Sequence, residues 1–306
     1  MEGERKPTVV RSGFVAVVGR PNVGKSTLVN GLVGQKVTIT SSRPQTTRNT
    51  IRGVVTIGDP EPTTQIVLVD TPGLHKPKNV LGERLNSLVY GTLADADAVL
   101  FVLDATQRVG PGDRLIAERL MGLETFFERV VVVVNKVDVA SKDRIAEQLV
   151  EASVWGFGAY VPVSAKTGDG LERVVGEIVP LLPEGPLYFP PESKSDQPEE
   201  WLISEIVREK FLDRLREELP HSVAVKTLEI DQREEGLMRI EVAVYVERDS
   251  QKGIVIGAGG SVLQRVGTEA RKELEVMFGT SVFLDLRVKV EKDWQRRVDV
   301  IERLGM

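Results

Sequence analysis

The octapeptide Gly19-Arg20-Pro21-Asn22-Val23-Gly24-Lys25-Ser26 fits G-x-x-x-x-G-K-[ST] and directly follows the apolar run Phe14 to Val18. An apolar strand emptying into a glycine-rich turn, then a helix-prone run from Thr27 to Leu32, is the setting in which this pattern cradles phosphate. The turn's backbone amides face the anion, and the helix N-terminus adds partial positive charge. In that geometry Lys25 neutralises β- and γ-phosphate oxygens while the Ser26 hydroxyl holds Mg²⁺. The chain should therefore bind a nucleoside triphosphate on an α/β fold. A glycine-rich turn that merely contains Lys-Ser would match the same pattern, so the downstream motifs carry weight.

Asp70-Thr71-Pro72-Gly73 closes a second β-branched run, Gln65 to Val69, and puts a carboxylate at the C-terminal edge of a strand. There Asp70 can hold Mg²⁺ through water and the Gly73 amide can sense the γ-phosphate, as in an order–disorder switch. Asn135-Lys136-Val137-Asp138 follows the run Val130 to Val134. The Asp138 carboxylate can accept from both N1–H and the exocyclic amine of guanine, a donor pair that adenine lacks. Asn135 would tie the base-binding loops together, and the aliphatic stem of Lys136 would cover the purine face. Ser164-Ala165-Lys166, after Tyr160 to Val163, would offer a backbone amide to guanine O6. The ligand reads as GTP or GDP with Mg²⁺. Between the cradle and Asp70, the polar stretch Ser41 to Asn49 reads as a mobile loop. Thr47 in this loop is the candidate to complete the Mg²⁺ shell, with Thr46 as the alternative.

All of these motifs end at Lys166 in a chain of 306 residues, which suits two domains. Prolines 183, 186, 190, 191 and 198 break the chain from Leu182 to Glu200. The expected division is 1–182, a linker at 183–200, and 201–306. The first domain should be a mixed, mainly parallel six-stranded sheet with helices on both faces. Beyond the linker, an amphipathic helix is expected over Glu199 to Leu219 and a hairpin from Val223–Ile230 and Met238–Val246. Gly257-Ala258-Gly259-Gly260 then forms a G-x-x-G turn before a helix reaching Phe278. Such a turn lets backbone approach a sugar-phosphate chain, as in KH domains, which implies single-stranded RNA. Lys252 and Arg265 are candidate phosphate contacts, with Arg271 and Lys272 nearby. The cluster Lys289, Lys292, Trp294, Arg296 and Arg297 reads either as more RNA surface or as a solvated helix with Trp294 in the core.

The absence of cysteine excludes disulfides and thiolate metal sites, and two isolated histidines, His75 and His221, make zinc a poor fit. A net charge of −5 confines any nucleic-acid contact to local patches. No apolar span of membrane length and no signal-peptide pattern is present, so the expected location is the cytoplasm.

The sequences Gly-Arg-Pro-Asn-Val-Gly-Lys-Ser, Gln-Thr-Thr-Arg-Asn, Asp-Thr-Pro-Gly, Asn-Lys-Val-Asp and Ser-Ala-Lys together resemble the bacterial Era family of translation-factor-type GTPases. The second half is similar to that family's type II KH domain, and the resemblance spans nearly the whole chain. It implies a monomeric GTP-hydrolysing switch that grips the 3′ region of 16S rRNA during 30S subunit maturation, with weak peripheral membrane association. It also implies a catalytic set of Asn22, Lys25, Thr47 and Gly73. Leu74 stands where Ras-type enzymes carry the glutamine that orients water, and the family shares this departure. In related GTPases the asparagine equivalent to Asn22 ligates K⁺ beside the phosphates, where the cation can replace an arginine finger; loop stabilisation is the other role open to it. Ala258-Gly259 stand where most relatives carry lysines, which weakens the electrostatic clamp. A rival reading is an RNA-binding assembly factor for which GTP is mainly structural, separable by whether RNA stimulates hydrolysis. A tRNA-modifying or tandem GTPase is disfavoured by the single nucleotide site and the KH-like tail.

Overall fold

The computed structural model describes residues 10–41, 50–72, 80–123, 127–215, 219–232 and 236–304. The chain divides into two compact units, the first holding most residues up to Asp196 and the second those from Gln197 on.

In the first unit the order is β1 (Arg11–Gly19), α1 (Lys25–Val33), β2 (Ile51–Ile57), β3 (Thr64–Asp70), α2 (Val80–Asp95) and β4 (Ala98–Asp104). It continues through α3 (Pro111–Met121), β5 (Val130–Asn135), α4 (Lys142–Ser153), β6 (Ala159–Pro162) and α5 (Leu171–Ile178). The six strands form one sheet in the order β2-β3-β1-β4-β5-β6. Only β2 runs antiparallel to its neighbour. Strand periodicity explains the two cores. Val15 and Val17 of β1 face one side with Leu28, Val29, Val174 and Ile178, whereas Ala16 and Val18 face the other with Val89, Leu93, Ile116 and Ala152. β3, β4 and β5 are buried along their full length, which is why they read as unbroken valine-rich runs rather than alternating ones. The strand order reverses at β1, between β3 and β4, so the crevice for a ligand opens at its C-terminal end.

The proline-rich segment expected as a free linker is mostly a strap on this unit. Ser12 N donates to Pro183 O at 3.0 Å, Val54 N to Lys194 O at 2.8 Å, and Arg52 pairs with Asp196 at 2.9 Å. Proline removes donors but leaves carbonyls, and the strap uses those carbonyls as acceptors. Its central fastener is Gln65, buried on β3. The Gln65 amide accepts from Tyr188 N (2.8 Å) and Phe189 N (3.0 Å) and donates to Phe189 O (2.9 Å). Gln65→Ala would strand these groups, and it is expected to cost about 2 kcal/mol of unfolding free energy in urea titration. A loss under about 0.5 kcal/mol would mean that the strap is held by other contacts.

In the second unit, α6 (Glu199–Arg214), β7 (Ala224–Gln232), β8 (Leu237–Val246), α7 (Asp249–Ile256), α8 (Ser261–Phe278) and β9 (Ser281–Val290) precede a short α9 (Val298–Arg303). β8 pairs antiparallel with β7 and parallel with β9. Val266, Ala270 and Leu274 form the buried stripe of α8 at helical spacing and pack with Ile206, Phe211, Ile240 and Val242. The weakly helical stretch from Arg248 to Gly253 does form α7, because Gln251 Oε1 accepts from the backbone N–H groups of Glu247 (2.8 Å) and Arg248 (3.2 Å). α6 stops at Arg214 rather than reaching Leu219. Trp294 is fully buried and donates to Ser222 O at 2.9 Å, so it is core, and Arg297 pairs with Glu291 and Asp299. Among the described residues no helix is long and apolar enough to cross a membrane.

Candidate functional site

The C-terminal ends of β1, β3, β4 and β5 place Gly19, Asp70, Asp104 and Asn135 along one edge of the sheet. The turn after Gly19 is shaped by backbone that only glycine tolerates. At Gly24, φ is +97°, and a Cβ there would lie 2.3 Å from Asn135 Nδ2. Asn22 is also left-handed (φ 65°) and exposed, Arg20 and Pro21 are half-buried, and Val23 packs into the core. Arg20 is held aside by Asp113 of α3 at 2.7 Å.

Lys25 and Ser26 open α1, with Thr27 half-buried behind them. The Lys25 ammonium, 6% exposed, donates to Gly19 O (3.2 Å) and Arg20 O (2.9 Å). Burial pushes its pKa down to about 8, against the smaller raising effect of Asp70. Ser26 Oγ donates to Asp70 Oδ2 at 2.7 Å, and Thr38 Oγ1 donates to the same oxygen at 3.1 Å. Two hydroxyls converging on one carboxylate oxygen suit a hard cation that prefers oxygen ligands. Among the described residues no cluster of three or more His, Cys, Asp or Glu could hold a metal alone. Mg²⁺ takes one or two protein ligands and completes its shell with phosphate and water. Thr71 Oγ1 donates to Val17 O at 2.7 Å and Pro72 is buried, fixing the chain as it leaves β3. Thr46, Thr47, Gly73 and Leu74 lie outside the described residues.

Asn135 joins three loops through one amide. Its Nδ2 donates to Val23 O at 2.9 Å, and its Oδ1 accepts from Lys136 N (2.8 Å) and Ala165 N (2.9 Å). Ser164 Oγ donates to Asp138 Oδ1 at 2.8 Å, holding the carboxylate in place. Ser164 and Ala165 are buried, whereas Lys166 is exposed. Lys136 reaches back to the phosphate turn, its Nζ donating to Asn22 O at 2.7 Å and to Asp104 Oδ2 at 2.6 Å. Asp104, Thr38 and Asn30 were not found by sequence reasoning. Asn30 splints the loop after α1, accepting from Val37 N and Thr38 N and donating to Thr38 O. An aspartate ending an apolar strand, as at both Asp70 and Asp104, was the available signal.

In the second unit the G-x-x-G turn sits between α7 and α8, and Gly257 (φ 76°) allows no Cβ, which would fall 2.8 Å from Val262 N. Ala258 and Gly259 are exposed, Gly260 caps α8, Lys252 is half-buried on α7 and Arg265 is exposed on α8. A groove of about 400 Å³ runs from Gly260 between α8 and β9, lined by Leu263, Gln264, Arg271, Leu284 and Leu286. Arg271 lines it and Arg265 does not. Of the three acids on α8, Glu269 pairs with Arg214 and Glu273 with Lys210 at 2.5 Å, both from α6, whereas Glu275 lies 3.9 Å from Arg271 itself. The groove combines an apolar floor with polar edges and a glycine turn, an arrangement that can seat unstacked bases against a backbone clamp.

Comparisons with known proteins cover both units. The profile of a family described as "50S ribosome-binding GTPase" matches residues 14–136, and a KH domain profile matches residues 218–295. The GTPase Era of Mycobacterium tuberculosis (strain ATCC 25618 / H37Rv) is 50% identical over 302 residues, covering 97% of this chain and 99% of that protein. The GTPase Era of Nocardioides sp. (strain ATCC BAA-499 / JS614) is 50% identical over 306 residues, covering 96% of each. Among solved structures, an Aquifex aeolicus Era variant bound to GDP·AlF4⁻ superposes with a TM-score of 0.90 at 38% identity, covering 97% of this chain and 99% of that one. An Era bound to MgGDPNP and nucleotides 1506–1542 of 16S ribosomal RNA matches with the same identity, coverage and TM-score.

Proposed function

The chain belongs to the Era family of GTPases, and we propose that it couples GTP hydrolysis to its hold on the 3′ region of 16S rRNA during maturation of the 30S subunit. The observation that carries this reading is the joint presence of a nucleotide site on the first unit and a glycine-turn groove on the second. The amides from Gly19 to Ser26 cradle the phosphates, and Lys25 exchanges its two carbonyl partners for phosphate oxygens. Ser26 and Asp70, with Thr47 or Thr46, would hold Mg²⁺, which would supply charge neutralisation at the phosphates. Asp138 and a backbone amide of Ser164-Ala165-Lys166 read guanine, and the Lys136 stem covers it. Water attacks the γ-phosphorus to give GDP and phosphate, with the Gly73 amide sensing the γ-phosphate.

Since Leu74 cannot orient water, the proposal assigns part of the charge neutralisation to K⁺ beside Asn22. Gly257 to Gly260, with Lys252 and Arg265, clamp RNA backbone while bases enter the groove beside Arg271. The same reading makes the protein a cytoplasmic monomer, and family resemblance alone suggests weak peripheral membrane contact.

The test is GTP turnover in K⁺ and in Na⁺ buffer, with and without an RNA copying the 3′ end of the small-subunit rRNA. RNA should stimulate turnover several-fold, and K⁺ should be required for the full rate. Turnover indifferent to a bound RNA would favour GTP as a structural ligand, and equal rates in the two salts would remove K⁺ from the mechanism.

A further inference from the structure

We infer that Asp104 is a positioning residue of the guanine site, holding Lys136 stretched between the base loop and the phosphate turn before any nucleotide arrives. The inference rests on the reading of Lys136 as the cover of the purine. Asp104 ends β4 and stands in register with Asn135 at the end of β5, so the sheet itself sets its distance from the base loop. Its carboxylate is almost wholly buried, and each oxygen has a fixed role. Oδ1 accepts from Thr106 N (2.9 Å) and Thr106 Oγ1 (2.6 Å), while Oδ2 takes the Lys136 ammonium at 2.6 Å and the Gln107 amide at 3.2 Å. Behind it, Gln148 Nε2 donates to Asp104 O at 3.0 Å, and Ala105 N donates to Asn135 O at 2.8 Å.

Burial alone would raise the pKa of this carboxyl. The hydrogen bonds from Lys136 and Thr106 outweigh that, and Asp104 stays below the ordinary carboxylate range. It is therefore a fixed negative charge aimed at one ammonium.

Lys136 has reason to need such an anchor. Its backbone is left-handed (φ 71°), and its side chain has four rotatable bonds, so an unanchored stem would sample many positions away from the base. Asn22 O alone supplies one neutral acceptor on an exposed turn residue. With Asp104 present, the stem is extended in advance, and less ordering is left for the nucleotide to impose. The effect should appear mainly in the rate of nucleotide release. It should also be blind to the exocyclic amine of the base, because a methylene stem packs equally on guanine and hypoxanthine.

The experiment measures release of methylanthraniloyl-GDP and methylanthraniloyl-IDP from the full chain and from Asp104→Asn, Lys136→Met and the double variant. Asp104→Asn should speed release of both nucleotides by about ten- to a hundredfold and by the same factor, as loss of an outer partner does at other preorganised sites. In the Lys136→Met background the same substitution should add less than about twofold, since the group it positions is gone. Thr106→Ala, which loosens the carboxylate but keeps its charge, should give a smaller increase, and it serves if Asp104→Asn does not fold. Release unchanged within twofold, or a full additive factor in the Lys136→Met background, would overturn the inference. A parent protein that retains neither nucleotide would instead refute the guanine-site reading on which it rests.

Discussion

Replacing Lys25 by Met is expected to weaken nucleotide binding by roughly a thousandfold or more while leaving the nucleotide-free protein within a few degrees of the parent melting temperature. The two effects have one origin. The Lys25 ammonium is buried, with two turn carbonyls as acceptors and a pKa pushed from 10.5 to about 8. At about 1.4 kcal/mol per unit, keeping it charged at neutral pH costs the folded state of order 3 kcal/mol. Removing it relieves that cost and strands two carbonyls at about 1–3 kcal/mol each, a loss of about 2–6 kcal/mol, so the two terms are of the same size and largely offset. Binding has no such compensation, because the charge that faces the phosphates is gone; affinity should fall by roughly a thousandfold or more.

The same pKa gives a pH signature with a definite sign. Since the folded value lies below the unfolded one, the penalty on the nucleotide-free protein is present below pH 8 and fades as pH rises from about 8 toward 10.5. Phosphate binding needs the charged amine, so above pH 8 nucleotide must bring a proton with it. Affinity of the parent should then fall toward tenfold per pH unit, while the Met variant shows no such dependence. Calorimetry from about pH 7 to 8.5, where guanine N1–H stays mostly protonated, reads both. A parent whose affinity is flat across that window, or a Met variant within tenfold of it, would contradict the account.

The second large effect concerns base identity. Asp138→Asn replaces one carboxylate acceptor of the guanine donor pair with an amide donor, and Ser164 Oγ still anchors the side chain. A site built to hydrogen-bond a substrate rejects the mismatched partner by roughly four orders of magnitude, so GDP affinity should collapse. Xanthine carries an oxygen where guanine carries the amine, so XDP should gain affinity by a comparable factor. Competition between GDP and XDP for the parent and the variant measures the exchange of preference. If the variant lost both nucleotides equally, Asp138 would be holding the loop rather than reading the base.

What could be read in advance follows a physical pattern. Buried parallel strands announce themselves as apolar runs, and the motifs at their ends, Gly19 to Ser26, Asp70 and Asn135 to Asp138, could be placed at once. Asp104 could not. It ends an equally apolar strand, but its role depends on a lysine that the sheet brings beside it from the next strand. Thr38 was hidden for a similar reason, since its hydroxyl meets Asp70 through a loop splinted by Asn30. The prolines after Leu182 pointed to a break, but acceptor carbonyls and the buried Gln65 turn that stretch into part of the first unit. The residues of α7 are weak helix formers taken one by one, and the helix depends on a single glutamine accepting two backbone donors at its start. On α8, Arg271 was among the cations named in advance, whereas the groove-lining role of Gln264 follows only once β9 is in place.

The placement of β1 at the middle of its sheet also bears on how the chain is made. Among the described strands β1 is made first, yet its partners begin only at Thr64 and Ala98. During synthesis its apolar residues, with two unpaired edges, must wait while the phosphate turn, α1 and β2 are built. Pairings this distant in sequence are slow to close. The nascent chain thus passes through a stage in which an apolar strand is exposed and its future neighbours do not yet exist, a stage at which chaperone protection would matter.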